Sequence, residues 1–396
     1  RRTAADSADR SALRTELLET AADLTDRLGH RQDQREILDM LADLELDPRS
    51  DPATAGRVYL LYGRFQAHTG KFGLARGTLR NAIDFLQQGG ELGLASEALC
   101  RLASVQAQVG ELEQAERLAR RARSLAQTPV ERAQAELALA LLELVQDSIE
   151  RVIKRCEQVI TDLGSGAETP RERGVLSGAH LLLARTANIV GDTETALERL
   201  EETVRLARQA GERRLETEAR ARQGRLYIDL EQFTRAELVL RDAHLLARES
   251  EDPLGEALTD LFLGTLLLET DRDEAVGNLT AATARAHSLG MHRAEALGLA
   301  LQARLAMFTD PSRALELAGR AQDLDDRYGS EILDRIVITA TLALVLRRAD
   351  QGEDSETLER QLRRRVRRQI QRTKDPELRA AVRDHAERLM ETTLSE

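Results

Sequence analysis

The sequence predicts an all-α protein, an α-solenoid of antiparallel helix pairs, from its length, its composition and an internal period. At 396 residues the chain is longer than one compact core usually supports, so several domains or a repeat array are expected. Composition favours the array. Ala, Leu, Glu and Arg dominate, aromatic residues make up 3% and Trp is absent, which suits helices and leaves little material for a sheet.

A pattern of small residues recurs at a period of about 40 residues. In each copy a small residue in one helix precedes a turn, and an Ala then opens the next helix. The copies are Gly63 with Gly70 and Ala75, Ala103 with Gly110 and Ala115, Ala184 with Gly191 and Ala196, Gly224 with Ala236, Gly264 with Ala275, and Ala303 with Ala314. Small side chains let two antiparallel helices approach closely, so the pattern predicts helix-turn-helix units.

Larger residues and helix breakers complete each predicted unit. A Leu follows the opening Ala by four positions in several copies and should pack against the following repeat: Leu79, Leu200, Leu240 and Leu279. Breakers then end the units, at Gly89-Gly90, Thr128-Pro129, Gly164-Ser165-Gly166, Gly211, Asp252-Pro253, Gly290 and Gly329. No helix interior is expected to be interrupted.

This arrangement resembles the tetratricopeptide (TPR) repeat over roughly Pro52 to Gly329. The aromatic residue that often follows the first small residue appears only as Tyr227, and the copy from Val130 to Gly166 has drifted but still predicts two helices. The resemblance implies a right-handed superhelix that binds other proteins. The long period is similar to that of repeat regions in bacterial multidomain signalling proteins.

Three segments are expected. Residues 1–50 should form N-terminal capping helices, residues 51–330 a TPR-like array of about seven repeats, and residues 331–396 C-terminal helices. Within the cap, Leu13, Leu17, Leu24 and Leu28 share one stripe. The C-terminal segment is predicted to contain three helices and one acidic joint: helices Ile332–Arg348, Glu356–Gln371 and Pro376–Thr392, with the joint at Gly352–Glu356.

Motifs for catalysis, cofactors and metals are missing from the sequence. It contains no phosphate loop, no His-Glu-x-x-His, no paired Cys motif and no Gly-x-Ser-x-Gly, so no enzyme activity and no cofactor are predicted. The alternative left open is an active site assembled from ordinary Glu, Arg and His. Gly164-Ser165-Gly166 is interpreted as a linker, and His287 and His292 are expected to point apart across a turn at Gly290.

The resemblance also suggests where a partner would bind. In TPR stacking, the residue after each small residue of the first helix faces the concave groove, and one turn on either side adds further positions. The predicted partner-binding residues are Arg57, Arg64, Arg185, Asn188, Arg225 and Arg304. Because Arg forks to carboxylates and Asn can bond a peptide backbone, an acidic, extended segment is the expected ligand. The alternative is that these Arg residues pair with Glu of neighbouring helices.

A second candidate surface lies near the C-terminus. Arg360 to Lys374 carries eight positive residues and no negative ones, and an apolar stripe recurs every four residues. The possible basic patch comprises Arg363, Arg364, Arg367 and Arg368. It is interpreted either as a solvated terminal helix or as a site for nucleic acid or anionic lipid, and the lack of aromatic residues from Ile332 onward argues against stacking on single strands.

Charge and cysteine usage set the expected surroundings and function. The net charge of −11 repels nucleic acid and anionic membranes overall, and the two cysteines lie in separate units, which favours the cytoplasm. The chain begins Arg1-Arg2 and is expected to be part of a longer or processed protein. The predicted function is a non-catalytic interaction or sensing module of a bacterial regulatory protein, with a protein or extended peptide in its groove. The alternative is a receptor for a short signalling peptide or small ligand that regulates an attached effector domain.

Overall fold

The computed structural model describes residues 2–44, 48–146, 148–164 and 167–395, and within these ranges every regular element is one of 19 α-helices. The first ten are α1 Arg2–Leu28, α2 Arg31–Ala42, α3 Pro52–His68, α4 Phe72–Gln88, α5 Leu92–Gln108, α6 Leu112–Leu125, α7 Pro129–Val145, α8 Ile149–Leu163, α9 Pro170–Val190 and α10 Thr193–Ala210. The others are α11 Arg213–Asp229, α12 Phe233–Glu249, α13 Pro253–Thr270, α14 Arg272–Ser288, α15 His292–Ala306, α16 Pro311–Tyr328, α17 Ile332–Arg348, α18 Gly352–Ile370 and α19 Pro376–Ser395.

The predicted fold class is confirmed: sequential helices pack as antiparallel pairs into a TPR-like superhelix. Prolines mark many helix starts because the first helical residue needs no N–H donor and has a φ that Pro already adopts. Six helices begin this way, at Pro52, Pro129, Pro170, Pro253, Pro311 and Pro376. The drifted copy also forms its two helices, α7 and α8. One local expectation is wrong: the acidic stretch Gly352–Glu356 is the first turn of α18, where carboxylates favour the positive end of the helix dipole.

Each repeated Leu lies over the small residue of its own repeat. A Cβ added to Gly63 would lie 2.5 Å from Leu79 Cδ2, and one added to Gly224 would lie 2.4 Å from Leu240 Cγ. Both Leu side chains are fully buried. These Leu side chains therefore also pack against the first helix of their own unit, a contact that the prediction did not include.

The superhelix closes on itself. Odd-numbered helices also contact the next odd-numbered helix, so they line the inner, concave side, while the even-numbered helices lie outside. After about five helix pairs the chain returns: α1 contacts α11, and the turn at Gly29 lies against Ser250, between α12 and α13. Further along, Gly110 lies against Tyr328. We call this line of contacts between successive coils the seam.

The two ends of the chain pack differently from each other. At the N-terminus, α1 turns Leu13, Leu17 and Leu24 toward solvent and buries Ala22 and Asp26 instead, so its leucine stripe is not the packing face. At the C-terminus, the apolar stripe of α18 is buried with α19, α17 and helices α7 to α9 in one core. The basic helix is therefore fixed to the solenoid by its apolar side.

Candidate functional site

The inner surface near the N-terminus contains a buried ion cluster centred on Asp26. Its carboxylate accepts hydrogen bonds from Arg64 Nε at 2.9 Å and from Arg31, and it contacts His68 Nδ1 at 2.8 Å. Asp23 also pairs with Arg64, at 2.7 Å. Burial opposes ionisation of Asp26, but His68 and the two guanidinium groups hold its pKa well below the usual range. Burial lowers the pKa of His68 to about 4, against the opposing effect of Asp26.

A second ion cluster lies further along the inner surface, where helices from distant parts of the chain meet. Arg185 on α9 pairs with Glu331, at the start of α17. Glu218 accepts from Arg222 at 3.0 Å, and although burial opposes it, Arg222 and Arg185 lower the pKa of Glu218 to about 2. Burial, reinforced by Glu331, raises the pKa of Asp334 to about 6. This surface is charged and largely buried, but part of it remains exposed to solvent: 21% of the Glu218 side chain is exposed.

The predicted partner-binding arginines lie on inner helices, and at least four of them form ion pairs with carboxylates of the same chain. Arg57 pairs with Glu19 at 2.9 Å and Arg225 with Asp229 at 3.2 Å, while Arg64 and Arg185 belong to the two clusters described above. Arg304 is half-buried, and burial lowers its pKa. Their binding of a partner stays a prediction, and any acidic ligand would exchange with these internal acids.

Asn188 differs from the arginines. It is half-buried on α9, and its side-chain amide makes no hydrogen bond with the described residues. An unsatisfied amide on the inner surface can bond the backbone of an extended segment.

The cluster residues Asp26, Arg222, Glu331 and Asp334 were not among the predicted site residues. Glu331 and Asp334 lie outside the recurring pattern, and Glu331 is 146 positions from Arg185 along the chain. No local spacing links residues so far apart. Only the curvature of the superhelix brings them together, and a single sequence does not reveal that curvature.

The basic patch on α18 is present as a solvent-facing group. Arg364, Arg367 and Arg368 are exposed and Arg363 is half-buried. Arg365, on another side of the helix, pairs with Asp326 at 3.0 Å, whereas none of the four patch residues forms an ion pair with a described carboxylate.

The histidine pair is arranged differently from the prediction. His287 and His292 do not point apart: both rings approach Glu295, with Nδ1 to carboxylate distances of 2.8 and 3.5 Å, because the turn at Gly290 reverses the chain. Even so, no three His, Cys, Asp or Glu side chains converge to hold a metal in the described ranges. Of the predicted Gly164-Ser165-Gly166 linker, the last two residues lie outside the described residues.

No helix in the part of the chain that the structure describes combines the length and apolarity needed to span a membrane.

Comparison with known proteins supports the fold. A family model described as anaphase-promoting complex subunit 5 matches residues 59–148 and 166–216. No curated protein matches. A Rap protein complexed with competence and sporulation factor is 13% identical with a TM-score of 0.61, and the match covers 92% of this chain and all of that one.

Two further solved structures are similar over most of this chain. The APC/C hetero-tetramer Cut9–Hcn1 gives 13% identity and a TM-score of 0.61, over 92% of this chain and 60% of that one. A signal transduction ATPase with a tetratricopeptide repeat sensor, from Pyrococcus horikoshii, gives 11% and 0.50, over 91% and 55%. Because all three identities are low, these likenesses establish the architecture alone. The chain is an all-α, TPR-like repeat protein.

Proposed function

We propose that this chain is a non-catalytic protein-interaction module that binds an extended, acidic segment of a partner along its inner surface. The observation that carries the proposal is that this surface is charged and largely buried but remains partly exposed to solvent. Even a paired buried charge adds little stability compared with apolar packing, so the charged groups favour a role in binding over packing alone. Carboxylates of the partner would replace the internal acids that now pair with Arg185 and Arg225. The side-chain amide of Asn188 would hydrogen-bond to the backbone of the partner segment.

The closed seam favours a narrow ligand. Successive coils lie in contact at Gly29 with Ser250 and at Gly110 with Tyr328, so a folded domain would have to part them, whereas an extended segment would not. This supports the second candidate, a receptor for a short peptide or small ligand. The Rap structure with competence and sporulation factor supports it too, since a protein of this fold accommodates a bound factor. In either case the module would act within a larger bacterial regulatory protein.

The decisive experiment uses Asn188, because its side chain contributes no hydrogen bond to the fold. Calorimetry at about 150 mM KCl would measure binding of unstructured acidic decapeptides to Asn188→Ala. The matched control is Asn81→Ala, which removes an exposed amide from outer helix α4. Loss of one hydrogen bond should weaken binding by roughly 3- to 10-fold in the first variant and leave it unchanged in the second, with equal melting temperatures.

The arginines provide the second arm of the test. Arg185→Ala together with Arg225→Ala should abolish peptide binding, and circular dichroism must show that the double variant remains helical. If peptides bind this variant and Asn188→Ala as tightly as the parent protein, or if none of the peptides binds the parent protein, the inner surface is not the binding site.

A further inference from the structure

We propose that the solvent face of α18 is an electrostatic docking site for the phosphate backbone of duplex nucleic acid, independent of the inner surface. The observation behind this is the contrast between two sets of arginines. On the inner surface, Arg57, Arg64, Arg185 and Arg225 each have a carboxylate partner in the same chain. In the patch of Arg363, Arg364, Arg367 and Arg368, none has one, although acids outnumber bases in this protein by 11.

The patch residues share one face of a rigid helix. At about 100° per residue, Arg363, Arg367, Arg364 and Arg368 spread over an arc of about 140°. The buried stripe of Leu362, Val366 and Ile370 lies beside that arc and anchors the helix. The arginines are therefore held toward solvent in a fixed row rather than on a mobile tail.

The C-terminal segment that contains α18 is close to neutral. Residues 331–396 contain 14 Arg and Lys against 13 Asp and Glu, so residues 1–330 carry the acid excess. Charges further away than a Debye length, about 8 Å at physiological salt, are largely screened. Glu387 on α19 lines a cleft with Arg363 and Arg367 but pairs with neither. Asp325 and Asp326 of the acidic body reach α18, but both pair with Arg365 and not with a patch residue, so the patch keeps its positive charge.

Other features of α18 indicate which class of anionic partner the patch would bind. Membrane insertion needs an apolar face, and that of α18 is already buried in the protein. Residues 332–396 contain no Phe, Tyr or Trp on which a single strand could stack. An acidic protein segment presents at most one charge per 3.3–3.6 Å of chain, whereas a duplex presents one per about 1.7 Å and releases counterions when bound. Arg also forks to phosphate oxygens, so duplex nucleic acid fits this surface best.

The test measures binding of a fluorescein-labelled 16-base-pair DNA duplex by fluorescence anisotropy. Four phosphate contacts predict a slope of about −3.6 in a plot of log K against log salt, so binding should weaken roughly 150-fold between 50 and 200 mM KCl. Replacing the four patch residues together, R363Q/R364Q/R367Q/R368Q, should weaken binding at 50 mM by at least tenfold and flatten the salt dependence.

The matched control removes four exposed arginines from outer helices instead: R117Q/R120Q/R205Q/R313Q. These residues form surface ion pairs with Glu113, Glu116, Glu202 and Glu316, and their removal changes net charge equally. The control should bind DNA with a dissociation constant within about twofold of that of the parent protein. Both variants should have the melting temperature of the parent protein. Failure to bind at 50 mM KCl, or equal losses in both variants, overturns the proposal. So does tighter patch-dependent binding of single-stranded DNA, poly-glutamate or phosphatidylserine vesicles.

Discussion

Removing the central acid of the N-terminal ion cluster should destabilise the protein strongly. Asp26 is 2% exposed in its side chain and neutralises Arg31 and Arg64, which are 6% and 9% exposed. After Asp26→Asn, Arg64 keeps Asp23 and Glu97, at 2.7 and 3.7 Å, and Arg31 keeps the Gln34 amide oxygen, at 2.7 Å. Breaking a buried pair costs about 3–5 kcal/mol, and because Arg64 keeps two carboxylate partners we expect the lower end, about 3 kcal/mol.

Urea unfolding followed by circular dichroism would measure this loss, with Asp33→Asn as control. Asp33 is 63% exposed and contacts only exposed His30, so its replacement should cost less than about 0.5 kcal/mol. Hydrogen exchange would locate the effect: opening of α1 to α3 should be roughly 100-fold more frequent, and the turn before α13 should also lose protection because the seam joins them. A loss below about 1 kcal/mol, or equal losses in both variants, would refute the assignment of Asp26 as the centre of the cluster.

Four further measurements test other parts of the structure. Gly29→Ala, at φ +76° against the seam, should cost more than about 1–2 kcal/mol in urea unfolding; an unchanged midpoint would mean that the coils do not touch there. Burial lowers the pKa of His180 to about 4, below its unfolded value near 6.5, so stability should rise with pH between those values and His180→Gln should flatten the profile. The pH dependence due to Asp334 has the opposite sign, since its folded pKa of about 6 exceeds its unfolded value. Its contribution to stability is present below about pH 4 and is lost as the pH rises through 6. Asp334→Asn should therefore raise the urea midpoint at pH 7.5 by the equivalent of roughly 1–2 kcal/mol and hardly change it at pH 4. Burial raises the thiol pKa of Cys100 and Cys156 to about 12, so a thiol reagent at pH 8 should label neither before unfolding, and rapid native labelling would contradict the burial.

The helix-pair architecture was predictable because the contacts that create it are local. Gly63 and Leu79 lie 16 positions apart on two helices of one repeat, and the same relation recurs at Gly224 with Leu240. A close approach of this kind requires a small residue opposite a large one, and that requirement is visible as a period in the sequence. Gly and Pro at the helix ends mark many of the turns, although Glu231 takes the positive φ, 58°, in the turn after α11.

The orientation of α1 shows where a local pattern stops being informative. The spacing of Leu13, Leu17 and Leu24 correctly places them on one face, but spacing does not say whether that face meets protein or water. In the structure this leucine face meets solvent. Asp26, on another face of the helix, is buried because the guanidinium groups of Arg31 and Arg64 pair with it. Burial was decided by partners from other helices, which the repeat pattern does not specify.

The inner ion clusters change what binding in the groove would involve. Sequence reasoning left two interpretations of Arg64, Arg185 and Arg225 open, as cations for an acidic ligand or as partners of Glu on neighbouring helices, and the structure supplies each with an acid of its own. Internal pairing spares the unliganded protein the cost of unpaired buried cations. An acidic segment then gains affinity only by exchange, in which Glu331 or Asp229 must be rehydrated as the ligand binds. Such exchange limits affinity but increases selectivity, because a segment whose carboxylates do not match the spacing of the displaced acids would leave charges unpaired on both sides.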